Sequence, residues 1–515
     1  MQGYRNRHPA VEIAPISITE KLMEGLVGRP DGVAIIDGPS GQAMTAGEMV
    51  DRIQRLAGGL TERGVLPGGT VAILAPNMPD YPVVFHGVAW GGGTVTTINP
   101  SYTAPEIAYQ LQDAAAVMLV TVPAFADVAR QAAEGTGVRD IVVIGGEAGL
   151  TLADVMGQPM RAQAPIDPAT HIVVLPYSSG TTGRPKGVML THRNLVANVT
   201  QAGAVSGLTP DDVAIAFLPF FHIYGMTVLM NLFLQQGARL VTMPRFDLEM
   251  FLRLTATHRA TRLYIVPPVA LALAKHPMVD QYDVSSVVEI FSGAAPLGAE
   301  TEKAMEARFG ARAVQGYGMT ELSPISHMTV ADHVRHGASG QAVPLTECRI
   351  VAPDTLEDLP PGVEGELWIR GPQVMQGYLN NPTATAETLT ADGWLRTGDL
   401  AIIDDDGFMF IRDRLKELIK VKGFQVAPAE VEAALCTHPG IADAAVIGRP
   451  DAEAGEVPVA FVVRAQGSDV DEAALGAHVA GCLASYKRPS AYVFVQSVPK
   501  SASGKILRRE LRARL

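Results

Sequence analysis

Short runs of apolar, β-branched residues recur along the first two-thirds of the chain, separated by stretches whose apolar positions repeat at helical spacing. TVAILAP (Thr70–Pro76), VMLVTV (Val117–Val122), DIVVIGG (Asp140–Gly146), HIVVLP (His171–Pro176), RLVTM (Arg239–Met243) and VVEIFSGAA (Val287–Ala295) read as strands. One of the helical stretches opens at Thr191, a good N-cap, and carries Leu195, Val199 and Ala202 along one face. Apolar strands alternating with amphipathic helices predict an α/β fold of largely parallel, helix-covered sheets.

The texture changes at Gly340. ECRIVAP, GELWIRG and AIIDDDGFMFI are short strands with Pro and Gly turns, the last a hairpin with Asp406-Gly407 in its turn. The acidic run Asp404–Asp406 reads as a solvated turn rather than a metal site. Beyond Arg412-Asp413-Arg414 the pattern gives a helix (Pro428–Leu435), strands in AAVIG, VAFVVR and YVFVQ, and a second helix (Asp471–Ala484). That is a compact α+β unit. The junction DRLKELIK is charged and has no Gly or Pro of its own, so composition alone does not mark it as a linker.

Length and composition narrow the class. A chain of 515 residues exceeds one hydrophobic core, and 47% apolar with 18% charged content is globular. A net charge of −12 speaks against non-specific nucleic-acid binding and leaves small anionic substrates open. Cys348, Cys436 and Cys482 are too dispersed for a disulfide framework or a metal site, which points to a reducing compartment. The N-terminus lacks the apolar segment of a signal peptide, and the longest apolar run, LYIVPPVALALA, is too short to span a bilayer. The expectation is a soluble cytoplasmic protein with no nucleic-acid partner and no membrane span.

Chemistry concentrates in YSSGTTGRPKG (Tyr177–Gly187). Its glycines, hydroxyls and basic residues follow a buried strand and suit a polyphosphate. It is not a Walker A loop, because Lys186 sits between Pro185 and Gly187 instead of opening a helix before a hydroxyl. Four more segments follow in order: QGYGMTE (315–321), GWLRTGD (393–399), DRLKELIKVKGFQVAPAEVE (413–432) and PKSASGKILRREL (499–511).

Together these five segments resemble the adenylate-forming acyl-CoA synthetase superfamily. With LPFFHIYGM (218–226) and SGAAPLG (292–298), they are most similar to the 4-coumarate:CoA ligase branch. The resemblance covers nearly the whole chain. It implies a large N-terminal domain (1–413) of helix-covered β-sheets with a small β-barrel-like subdomain from about residue 340, a hinge at 414–416, and a small mobile α+β lid (417–515). The implied reaction joins a carboxylic acid to coenzyme A through an acyl-adenylate, using ATP and Mg²⁺ and releasing AMP and pyrophosphate. The expected partners are these small molecules, with the chain a monomer or homodimer.

The resemblance also distributes roles. Ser178, Ser179, Gly180, Thr181, Thr182, Gly183 and Lys186 would wrap the phosphates. Gly293, Ala294 and Ala295, with Gln315, Gly316, Tyr317, Gly318, Met319 and Thr320, would bind the nucleotide, Tyr317 stacking on adenine and Thr320 reaching the α-phosphate. Glu321 would hold Mg²⁺, and Asp399 and Arg414 the ribose. Lys505, on a loop after a Ser-Gly turn, would bridge carboxylate and α-phosphate; Lys420 and Gln425 would take part in adenylation, and His222 is a further catalytic candidate. Arg245, Lys422 and Gly423 would face CoA, and Lys416 would be the hinge. The acyl pocket would be built from Tyr224, Gly225, Leu322, Ser323, Pro324 and Ile325, with small residues at 225, 293, 294 and 316 leaving room for a flat ring. Many plant coumarate ligases read M-T-E-A-G-P-V where this chain reads M-T-E-L-S-P-I, so the acid could be 4-coumarate, cinnamate-like or fatty. A medium- or long-chain fatty acyl-CoA synthetase is the alternative, ahead of a luciferase-like oxygenase.

Overall fold

The structure, a computed structural model, describes residues 8, 10–147, 149–178, 185–330, 333–422, 424–451, 453–501 and 504–515. Two large sheets dominate. In the nine-stranded one, Arg312–Gly318, Glu289–Ser292, Arg262–Ile265, Val213–Ala216, Arg239–Thr242 and Val33–Asp37 lie side by side and parallel. In the eight-stranded one, Ile172–Ser178, Thr94–Thr97, Thr70–Leu74, Ala116–Thr121 and Asp140–Val143 do the same. The strands expected from the apolar runs all form. Burial on both faces explains why those runs are continuous rather than alternating.

The helix expected after Thr191 spans His192–Ser206, and the Thr191 side chain accepts from the Asn194 N–H as a capping box. It shares one core with both sheets, extending from Ile18 to Met409. The strand-rich stretch forms an antiparallel sheet ordered Glu347–Val351, Gly365–Arg370, Leu395–Ile403 and Met409–Arg414. The hairpin turns where Asp-Gly requires it, with Gly407 at φ +82°. Its acidic run is not simply solvated: Asp404 and Asp406 both pair with Arg335, whose guanidinium also lies over the Phe408 ring.

Beyond Leu418 the chain builds a second core. In Ile441–Asp451 and Gly455–Arg464, Ala444, Val446, Ala460 and Val462 face the helices Pro428–Cys436 and Glu472–Cys482. The alternate residues Ala445, Ile447, Val459 and Phe461 pack on Val498 and Leu511. The two-residue period of a strand sorts these side chains onto opposite faces, so this smaller sheet is covered on both sides.

Candidate active site

Open α/β sheets bind ligands beyond the carboxyl ends of their strands, and the predicted motifs gather there. The register Ile265↔Ser292↔Gln315 makes the chain leave three neighbouring strands at one edge. Gly293, Ala294 and Ala295 leave one strand; Gly316, Tyr317, Gly318 and Met319 continue the next. Gly293 has no room for a Cβ, which would lie 3.0 Å from the Tyr224 ring, and Ala294 takes φ +71°. Gln315 is differently occupied. Its side chain donates to Leu297 O (2.8 Å) and Glu302 Oε1 (2.7 Å) and accepts from Leu297 N (3.0 Å), bracing the loop that follows Gly293 instead of facing a ligand.

Asp399 and Arg414 are cross-strand partners, which sets the guanidinium against the carboxylate: Arg414 Nε lies 3.0 Å from Asp399 Oδ1. The Tyr317 hydroxyl donates to Asp399 Oδ2 at 2.6 Å. Burial and this carboxylate push the Tyr317 phenol well above its ordinary range, so it stays a donor.

Lys505 reaches the same edge from the small domain. Gly504, at φ +82°, lies so close to Val266, the residue after strand Arg262–Ile265, that a Cβ would come within 3.1 Å of it. Burial and the Arg414 charge lower the Lys505 ammonium to about 8, against the pull of Asp399, Glu417 and Glu321. His222 belongs to the same group. Burial first, and Lys505 second, hold it at about 4, so its ring is neutral; its Nδ1 accepts from Tyr224 N (3.3 Å).

The phosphate-loop candidates Ser179, Gly180, Thr181, Thr182 and Gly183 lie outside the described residues. The flanking Ser178 and Lys186 face each other across an antiparallel pair. Lys186 Nζ lies 4.7 Å from the Tyr378 ring centroid, and the Tyr378 hydroxyl donates to Glu321 Oε1 at 2.8 Å. Thr320 and Glu321 sit on a single 3₁₀ turn, Thr320–Leu322, with Glu321 buried. Among the described residues no group of three or more His, Cys, Asp or Glu side chains could hold a metal. A lone carboxylate, joined through Tyr378 to Lys186, fits Mg²⁺, which takes few protein ligands and several phosphate oxygens.

Several pocket readings need correction. Gly225, Gly293 and Gly316 do not open space for a ring. A Cβ would lie 2.3 Å from Pro219 O at 225, 3.0 Å from the Tyr224 ring at 293 and 2.5 Å from Phe291 Cζ at 316. Neighbouring atoms occupy the space that a side chain would fill. Leu322 is fully buried in the main core. Ser323, at φ +73°, is also fully buried and donates to Gln373 O at 2.8 Å. Tyr224, Pro324 and Ile325 are buried against the edge.

Nor does the structure bring every catalytic candidate together. Lys420 and Gln425 face each other on the hairpin Ile419–Val421/Phe424–Val426, and both are exposed, as is Lys422. The Lys420 and Lys422 amides donate to Glu456 Oε2 (2.8 Å) and Ala454 O (2.7 Å), within the small domain's own sheet. Gly423 lies outside the described residues; Arg245 and Lys416 are exposed.

Sequence reasoning missed two asparagines. Asn77 donates to Ala216 O (2.8 Å) and Leu218 O (2.9 Å) and accepts from Phe220 N (2.7 Å), fixing the loop that carries His222. Asn198 clamps both backbone groups of Ile325 (3.1 and 2.7 Å). The π-helix Tyr224–Asn231, a rare conformation found mostly at functional sites, was also not foreseen. The signal available was a buried amide at a strand end or in mid-helix.

Comparison with known proteins places these observations. Residues 24–379 match the family model "AMP-binding enzyme" and residues 430–505 "AMP-binding enzyme C-terminal domain". The chain is 43% identical to "4-coumarate--CoA ligase 5" of Oryza sativa subsp. japonica, covering 99% of this chain and 97% of the relative. It superimposes on the anthranilate CoA ligase AuaEII in complex with anthranoyl-AMP with a TM-score of 0.92, at 28% identity, covering 98% of each chain. ATP-bound MatB from Rhodopseudomonas palustris is 33% identical and gives a TM-score of 0.88, covering 97% of this chain and 99% of MatB. Apo MatB, with the same coverage, gives 0.78.

Proposed function

The chain belongs to the AMP-binding enzymes, and from that premise we propose that it is an ATP-dependent acid–CoA ligase acting on a 4-coumarate- or cinnamate-like aromatic acid. The observation that carries the reading is Lys505, whose loop packs against Val266 at the carboxyl edge of the large sheet, within electrostatic reach of Asp399, Arg414, Glu321 and His222. The relatives named as 4-coumarate and anthranilate CoA ligases support an aromatic acid over a fatty one.

In the first half-reaction a carboxylate oxygen attacks the α-phosphorus of ATP. The bond from that phosphorus to the bridging oxygen breaks, and pyrophosphate leaves. Lys505 faces carboxylate and α-phosphate and stabilises the charge that develops between them. Asp399 and Arg414 hold the ribose, Tyr317 stacks on the adenine, Thr320 donates to the α-phosphate, and Ser178–Lys186 wraps the β- and γ-phosphates. Glu321 is the ligand for Mg²⁺, which supplies phosphate charge neutralisation when bound. In the second half-reaction the CoA sulfur attacks the acyl carbon, AMP departs with its phosphate oxygen, and the thiol proton goes to solvent.

Lys422, on the exposed hairpin, serves the second half-reaction after the small domain (417–515) turns about 414–416 on the large one (1–413), whereas Lys420 and Gln425 take part in adenylation. Arg245 lies on the CoA side. Tyr224, Pro324 and Ile325 wall the acyl pocket. Among the described residues no helix is long and apolar enough to cross a membrane. The three unpaired cysteines suit a reducing cytoplasm. The test is an assay of AMP release across a panel of carboxylic acids. Activity that needs ATP, Mg²⁺, CoA and an aryl-propenoic acid, and yields AMP and pyrophosphate, is expected. Release of ADP and phosphate, or preference for fatty acids, would overturn the reading.

A further inference from the structure

Tyr378 stands between two groups that the nucleotide reading treats separately. Its hydroxyl donates to Glu321 Oε1 at 2.8 Å, and its ring lies 4.7 Å from Lys186 Nζ. Backbone contacts hold the tyrosine in place. Gly377–Tyr378 pairs with the strand Lys186–Thr191 that leaves the phosphate loop, and Leu379 N donates to Gly187 O (2.8 Å). Tyr378 N donates to Thr385 Oγ1 (2.9 Å). The same segment fixes the backbone of Glu321, since Met375 N donates to Glu321 O (2.9 Å).

A carboxylate with one oxygen tied to a phenol has the direction of its other oxygen set. A lysine over an aromatic face is held by the ring's negative surface. We propose that Tyr378 is a positioning residue that aims the free oxygen of Glu321 at the divalent cation of Mg·ATP and presents Lys186 to the phosphates. The inference rests on the ligase reading. Tyr378 touches neither acid nor nucleotide and acts through Glu321 and Lys186.

Two substitutions separate its two contacts. Tyr378→Phe keeps the ring under Lys186 and loses only the hydroxyl. Tyr378→Leu loses both. Calorimetric titration with ATP, in Mg²⁺ and in excess EDTA, reads binding without turnover, and a melting curve on each variant controls for folding. Partners that orient metal ligands typically contribute about 10–100-fold to metal affinity. Tyr378→Phe should therefore weaken ATP binding about tenfold in Mg²⁺ and leave binding in EDTA unchanged, with melting intact. Tyr378→Leu should weaken both. Wild-type affinity of Tyr378→Phe in Mg²⁺, or equal losses with and without the metal, would overturn the proposal while leaving the ligase reading standing. A wild-type chain that binds no ATP in either condition would overturn both.

Discussion

Raising the pH should switch off acyl-adenylate formation while thioester formation continues. The Lys505 ammonium drops from an ordinary 10.5 to about 8, chiefly through burial and then through Arg414. That difference corresponds to roughly 3 kcal/mol withdrawn from the charged form. Only the ammonium can face the charge that develops between carboxylate and α-phosphate. The kcat/KM for ATP, which reports groups of the free enzyme, should therefore fall about tenfold per pH unit above roughly pH 8. His222, held at about 4, stays neutral across that window and adds no limb of its own. Bound polyphosphate brings negative charge beside the ammonium, so the limb in kcat should lie at higher pH than the limb in kcat/KM. The surrounding charges make the test directional. Arg414→Gln removes a repulsive neighbour and should move the limb to higher pH, whereas Asp399→Asn removes an attractive one and should move it lower. Both variants would also lose the proposed ribose contacts, so the position of the limb is the readout and not its height. The folded chain binds the Lys505 proton less tightly than the unfolded one. Docking of this loop therefore gains stability as pH rises from about 8 towards 10.5, while the reactive form disappears. The assay is acid-dependent ATP–pyrophosphate exchange across the alkaline range, set against conversion of synthetic acyl-adenylate by CoA. Lys505→Ala should lower exchange by about 10²–10³-fold, as loss of an oxyanion donor does, and spare the second reaction. A flat exchange profile, a limb that neither substitution moves, or equal loss of both halves in Lys505→Ala would refute the assignment.

Three further outcomes follow from buried groups and from the turn at Lys416. Arg262 binds Asp212 Oδ1 and Glu289 Oε1, both at 3.0 Å; Arg262→Met leaves Asp212 with hydrogen bonds but no cation and Glu289 with Arg312 alone, and should cost about 3 kcal/mol in urea unfolding, and an unchanged midpoint would contradict this. Burial holds His86, His192 and His327 at about 3, so the unfolded chain takes up protons below the ordinary 6.5 and the folded chain does not; stability should fall by up to roughly 1.4 kcal/mol per histidine for each pH unit of acidification, and a melting temperature flat from about pH 6.5 to 5 would count against it. Lys416→Pro fixes φ near −65° and biases Leu415 away from the α region; it should keep at least part of pyrophosphate exchange and lose most thioester formation, and intact melting with full CoA transfer would rule out rotation at this position.

The elements were legible because burial leaves a local signature. Thr191 announced its helix, and Asp406-Gly407 its hairpin, through chemistry confined to a few residues. The alternation of Ala444, Ala445, Val446 and Ile447 between two cores could be read from a two-residue period. What stayed hidden depends on residues far apart in sequence. Asn77 earns no notice until strand Val213–Ala216 is placed beside its loop, and Asn198 none until Ile325 meets its helix. The glycines misled for the same reason. A small residue in a motif can mean space for a ligand or space already filled, and Gly316 is filled by Phe291 and the His327 carbonyl. The acidic turn seemed a surface feature because Arg335 lies about seventy residues before it.

The placement of Lys505 and the Lys420–Gln425 hairpin bears on how one site could serve two half-reactions. Lys505 sits on a loop anchored within the small core, through the bridge Lys500↔Ile506 and the ion pair between Lys500 and Asp443 (2.6 Å). The hairpin belongs to the sheet of that same core. Arg508, three residues after Lys505, binds Glu432 at 2.8 Å, and Arg512 binds Glu417 at 3.2 Å. The loop, the hairpin and the end of the chain therefore form one packed unit, and turning the hairpin inward must carry Lys505 out. Besides the packing of Gly504 on Val266 and the bond from Lys275 Nζ to Cys436 O (3.3 Å), such a turn must break a bond next to the hinge. Asp413, on the last strand before the turn, accepts from Ala429 N at 2.9 Å, at the start of the helix Pro428–Cys436. A carboxylate at a helix N-terminus is favourable by about 0.3–1 kcal/mol, more where it is partly buried. Asp413 is buried, and desolvation raises its carboxyl above the ordinary value, which offsets part of that gain. A latch with opposing terms of this kind can hold the small domain against the large one without locking it there, which is what a lid exchanging two sets of residues at one centre requires.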